Sequence, residues 1–126
     1  MADPIKIKSF VQNVLGCGCS EEVFKHIEDS PQIYKGVGYT RINVGNRLLV
    51  YLLKTDDRHF IEQEIKGIVD TGIAERNATG FNRFRLAIVT TYPEEIGGLA
   101  EEIFHTLKTD DRTHIHVLGK GQADFF

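Results

Sequence analysis

The chain has 126 residues, 41% hydrophobic and 26% charged, with a formal net charge of −3, which is the size and composition of one ordinary globular domain able to bury its own core. No apolar run approaches the roughly twenty residues of a membrane-spanning helix, and the N-terminus lacks the basic-then-apolar order of a secretory signal. The basic residues are scattered among acidic ones and form no stripe with interleaved aromatics, so neither a membrane nor a nucleic-acid partner is expected.

Ile7, Phe10, Val11, Val14 and Leu15 fall at i, i+3, i+4, i+7 and i+8, which predicts a helix from about Pro4 to Leu15. Gly16 follows, where glycine stops a helix by turning left-handed. A second helix is expected from Cys19 or Ser20, with Val23, Phe24 and Ile27 inward and Glu21 and Glu22 at its positive end. The opening therefore reads as a helical hairpin over 4–28. Residues 29–38 (DSPQIYKGVG) collect turn formers and read as a connector.

A sheet-and-helix body is expected over 39–126. Strands 39–44 and 47–53 flank Gly45-Asn46, a two-residue hairpin loop, and the second strand is apolar on both faces and hence central. Helix 57–75 follows with Ile61, Ile65, Ile68, Val69 and Ile73 inward, then a buried strand at 83–91. Pro93 opens helix 94–108, with Ile96, Leu99, Ala100, Ile103, Phe104 and Leu107 inward, and strand 113–118 comes last. Crossover helices imply parallel pairing. The expected fold is one α/β domain, with α+β as the alternative. Its ββαβαβ sheet has about four strands, one edge antiparallel, and is covered by helices. The hexapeptide Leu53-Lys54-Thr55-Asp56-Asp57-Arg58 recurs as Leu107-Lys108-Thr109-Asp110-Asp111-Arg112. Its flanks do not match, so it reads as repeated turn chemistry rather than duplication.

Both cysteines lie in one turn, Gly16-Cys17-Gly18-Cys19. Cysteines this close make poor staples, and a reducing, cytoplasmic location is the expectation. On the predicted hairpin Cys17 follows the negative end of one helix and Cys19 opens the positive end of the next. Cys19 is therefore the better nucleophile or ligand. Two thiolates are half of a zinc or iron–sulfur site, and His114 and His116, on one face of the last strand, have the spacing to add two ligands. A dimer could supply the missing ligands across a two-fold axis.

A Cys-x-Cys just before a helix is similar to the first half of the cluster motif in bacterioferritin-associated ferredoxin-like [2Fe-2S] domains. It also looks like the Cys-Gly-Cys of the A-type iron–sulfur carriers. The resemblance implies that Cys17 and Cys19 are cluster ligands. It covers about Gly16–Ile27, and the chain has neither the later Cys-x-x-Cys of the first family nor the upstream cysteine of the second.

A second candidate site follows from topology, because open α/β sheets bind ligands at the C-terminal ends of parallel strands. Strand 47–53 exits into Thr55, Asp56 and Asp57, and strand 83–91 into Thr91, Tyr92 and Glu94. If the two strands are neighbours, these six residues line one crevice for a divalent cation, a cofactor or another small polar ligand. Helix capping explains the same residues without a ligand. No glycine-rich phosphate loop or nucleophile elbow is present. Three functions remain: a thiol protein that binds a soft metal or cluster or cycles redox state, a non-enzymatic binding domain, and, weakest, metal-dependent hydrolysis at the carboxylate crevice.

Overall fold

The computed structural model describes residues 3–16 and 20–123. Its elements in chain order are α1 (Pro4–Ser9), β1 (Ile27–Tyr34), β2 (Val37–Val44), β3 (Leu48–Lys54), α2 (Arg58–Thr79), β4 (Arg83–Thr90), α3 (Pro93–Thr106) and β5 (Thr113–Gly119). The strands form one five-stranded mixed sheet in the order β1-β2-β3-β4-β5. The first three strands pair antiparallel and the last three parallel. The fold is mixed α/β.

Six apolar residues in a row, 48–53, can be satisfied only by a strand covered on both faces. Central β3 does this by alternation. Leu48, Val50 and Leu52 join Ile42, Val44, Ala87 and Val89 beneath the N-terminal helical segment, where Ile7 of α1 and Phe10, Val11 and Leu15 after it are fully buried. Leu49, Tyr51 and Leu53 join Phe84, Leu86 and Ile88 on the opposite face, under Ile61, Ile65 and Val69 of α2 and Ile96 and Ala100 of α3. Both crossover helices therefore lie on one face, and the N-terminal helix covers the other. α1 is capped by the Asp3 carboxylate, which accepts from Ile5 N–H at 2.9 Å. It continues into a wider π turn, Phe10–Val14, in which Leu15 N–H reaches the carbonyl of Phe10 at 3.1 Å. Gly16 then stops it at φ +69°.

Three expectations are corrected. The second helix of the hairpin is a single 3-10 turn, Glu21–Lys25. Its apolar residues Val23, Phe24 and Ile27 need no more than that turn and the start of a strand to reach the core. The connector 29–38 is instead most of β1 and its hairpin, which raises the strand count from four to five. A strand at the sheet's edge tolerates Pro31 and polar residues because one side has no ladder to complete. Tyr34 and Val37 close it around Lys35 (φ +48°) and Gly36 (φ +82°).

The β2–β3 loop is corrected as well: it holds three residues, not the expected two of Gly45-Asn46, since Val44 pairs with Leu48. Gly45 (φ +64°) and Asn46 (φ +56°) are both left-handed, and Arg47 N–H bonds to the Val44 carbonyl at 3.2 Å. Gly45 is fixed for a second reason. A Cβ there would lie 2.3 Å from the Val23 carbonyl oxygen, so the 3-10 turn packs directly on its backbone. No helix among the described residues is long and apolar enough to cross a membrane.

Candidate functional site

β3 and β4 are parallel neighbours, the arrangement on which the expected crevice depends. Thr55 N–H bonds to the Val89 carbonyl at 3.0 Å and extends the ladder one residue past the strand. Asp56 then reaches across to the end of β4. Its Oδ1 accepts from Thr90 Oγ1 (2.8 Å) and Thr91 N–H (2.7 Å), and its Oδ2 from Thr91 Oγ1 (2.8 Å). The Thr91 amide and then the two hydroxyls stabilise the charged form, and Lys120 adds attraction, so the carboxyl is held down at about 2. Asp56 is thus ionised and occupied on both oxygens; it fastens two strands and is not poised as a base.

The six predicted crevice residues separate. Thr55 and Asp56 line a cavity of about 500 Å³ together with Lys54, Val89 and Lys120. Thr91 supports it through Asp56. Asp57 does something else: its carboxylate caps α2 by accepting from Phe60 N–H at 3.1 Å. Tyr92 and Glu94 open α3, Tyr92 as the N-cap with a half-exposed ring and Glu94 as an exposed first-turn carboxylate. Arg58 and Glu95 bridge the starts of α2 and α3 at 2.7 Å. Val89 belongs to the core beneath α1, so the cavity opens on that face, away from the α3 side where Tyr92 and Glu94 were expected to contribute. Lys120 was missed because the turn Lys120–Gln122 is brought to Asp56 (Nζ 3.9 Å from Oδ2) only by the β4–β5 pairing.

His114 and His116 do share one face of β5, as their spacing implies. His114 is exposed and His116 half-buried. His116 meets Arg85, whose NH1 lies 3.0 Å from His116 Nε2 and also donates to the carbonyl of Leu15. A guanidinium only donates, so Nε2 accepts and the imidazole proton sits on Nδ1. Burial, the Arg85 charge and His114 hold His116 down at about 4, leaving it neutral at physiological pH. Arg85 is only 8% exposed, and among the described residues its Nε has no hydrogen-bond partner. The sequence reading missed Arg85; a charge within the run Phe84–Val89, otherwise apolar, is the signal that could have found it.

Cys17 and Cys19 lie outside the described residues. Among the described residues no group of three or more histidine, cysteine, aspartate or glutamate side chains is arranged to hold a metal ion. Comparison with protein-family models, curated proteins and solved structures finds no match.

Proposed function

We propose that this chain is a small-ligand-binding domain whose site is the cavity at the C-terminal ends of β3 and β4. The carrying observation is that cavity itself. It has about 500 Å³ of space beside an apolar wall at Val89, with the Lys120 ammonium on its rim and an aspartate already saturated by hydrogen bonds. A volume of that order suits a small molecule, and the chemistry suits one with an apolar body and an anionic group directed at Lys120. Asp56 contributes rigidity, not reactivity, so the reading is one of binding.

Anilinonaphthalene sulfonate, an apolar anion, is a suitable first probe. Titrated by fluorescence, it should bind the native protein at one site, and Lys120→Glu should weaken that binding about tenfold, the loss of one charge-assisted contact. Equal binding to both proteins, each folded by circular dichroism, would sink the proposal.

A second reading is favoured by Arg85. Its guanidinium holds the carbonyl of Leu15, two residues before Cys17, and touches the neutral nitrogen of His116. A cation near a thiol promotes the thiolate, and a neutral imidazole is a ready metal ligand. On this reading Cys17 and Cys19 bind zinc or an iron–sulfur cluster, or form a redox pair, in a reducing compartment such as the cytoplasm. His116 or a second subunit would complete the ligand set. Anaerobic purification with visible spectra and metal analysis tests it: metal should be present in the parent and absent from Cys17→Ser and Cys19→Ser. A metal-free parent whose thiols alkylate at ordinary rates excludes it.

A further inference from the structure

Arg85 has an unusual electrostatic position. Its side chain is buried, yet its hydrogen-bond partners, the Leu15 carbonyl and the His116 ring, are both neutral. Among the described residues its Nε is unpartnered, and Arg83 on the same strand face adds a second positive charge nearby. A buried cation without a counter-charge is costly, which is why such groups are normally paired. Arg85 also lines a groove of about 460 Å³ along the outer edge of β5, with His114, His116 and Ile115 of that strand and Glu101, Phe104 and His105 of α3. Phe84 N–H bonds to the Arg112 carbonyl, so even-numbered residues of β5 turn their backbone groups toward β4. The N–H of Ile115 therefore faces the open edge as a further donor. Glu101, exposed, is the one carboxylate lining the groove among the described residues.

We propose that this groove is an oxyanion site that takes a phosphate group between the Arg85 guanidinium and the imidazoles of His114 and His116. It is separate from the β3–β4 cavity and does not depend on it. Arg85 supplies the fixed charge, His116 a neutral Nδ1–H donor, and His114 a donor at the exposed rim. These donors come from three side chains on two neighbouring strands, more N–H groups than a flat carboxylate can use and a number that a phosphate's oxygens can accept. Glu101 opposes binding, so Glu101→Gln should tighten it.

The test is a histidine-detected NMR titration of the full chain near neutral pH with inorganic phosphate at constant ionic strength, with acetate in a parallel arm. His114 and His116 signals should shift and saturate with phosphate while those of His26 and His59, on other elements, stay still. Acetate should bind at least about tenfold more weakly, and Arg85→Gln should weaken phosphate about tenfold or more. Because Arg85 also anchors Leu15, His114→Ala at an exposed position is the second variant; it should leave melting unchanged and weaken phosphate several-fold. Four results overturn the proposal: equal, unsaturating shifts of all histidines; unaltered binding in a folded Arg85→Gln or His114→Ala protein; equal affinity for acetate; and binding that appears only after Cys17→Ser and Cys19→Ser, which would make a thiolate the counter-charge.

Discussion

Replacing Asp110 by asparagine should expose how much one polar lock contributes to this fold. Arg76 of α2 is buried, its side chain 2% exposed, and its guanidinium meets Asp110 in a two-pronged contact, NH1 to Oδ1 at 3.0 Å and NH2 to Oδ2 at 2.5 Å. Thr113 Oγ1 and Arg112 N–H also donate to Oδ1, at 2.9 and 3.0 Å. Breaking a fully buried ion pair costs roughly 3–5 kcal/mol, because the surviving charge is stranded. The Asp110 side chain is 36% exposed, so solvent screens part of this, and about 2 kcal/mol is the expected loss at neutral pH. For a chain of this length that lowers Tm by roughly 6–10 °C.

The sign of the pH dependence follows from the same contacts. The Arg76 guanidinium holds the Asp110 carboxyl well below the ordinary value of 3.8. Its stabilisation is thus fully present above that value and fades as pH falls toward the lower folded-state one. Parent and Asp110→Asn should differ by a constant amount from pH 7 to about pH 5, and the gap should narrow below about pH 4. Urea unfolding followed by circular dichroism at several pH values reads both quantities. A difference under about 0.5 kcal/mol at neutral pH, or one that does not shrink on acidification, refutes the assignment of Arg76 and Asp110 as a lock.

Gly45→Ala should cost at least about 2 kcal/mol in thermal unfolding, since it combines left-handed strain with a clash on Val23. Gly80→Ala, where φ is +77° but nothing lies within 4 Å, should cost only about 1 kcal/mol. In the absence of phosphate, the NMR signals of His116 should titrate around pH 4, and a midpoint near 6.5 would show that Arg85 does not face it. Asp56→Asn should speed hydrogen exchange at the Thr91 amide. In the parent that protection should hold at pH values above the ordinary aspartate range and weaken as pH falls toward 2, because the folded carboxyl is shifted down. Exchange unchanged by the substitution would mean that Asp56 does not fasten the end of β4.

The parallel half of the sheet was legible in the sequence because burial there is two-sided. The unbroken run 48–53 and the helical spacing of Ile61, Ile65, Ile68 and Val69 leave few alternatives. β1 was not legible: it is an edge strand, mostly exposed or half-exposed, with a proline at its centre, so neither alternation nor composition marks it. The 3-10 turn at 21–25 was overextended because three apolar residues at helical spacing do not state a length. For the candidate site, strand adjacency made Thr55, Asp56 and Thr91 legible. The positions of Lys120 and of the Arg85–Leu15 contact depend on register and on α1 crossing the sheet, across a sequence separation of 70 residues in the second case. No local pattern encodes those.

The repeated hexapeptide acquires a meaning from the two aspartates. In its first copy the fourth residue, Asp56, receives the hydroxyls of Thr90 and Thr91 where β3 leaves the sheet. In its second copy the fourth residue, Asp110, receives Arg76 and Thr113 where β5 joins it. One sequence serves as a latch at opposite ends of the parallel half, and in each case the catch includes residues distant in the chain, Thr90 and Thr91 for Asp56 and Arg76 for Asp110. What the six residues encode is a bend that presents a carboxylate, indifferent to whether a helix comes before or after. Exchanging the two copies would change nothing in the chain. The specificity of each joint resides wholly in its catch, so Thr90, Thr91 and Arg76 are the positions through which either end of the domain could be loosened independently of the other.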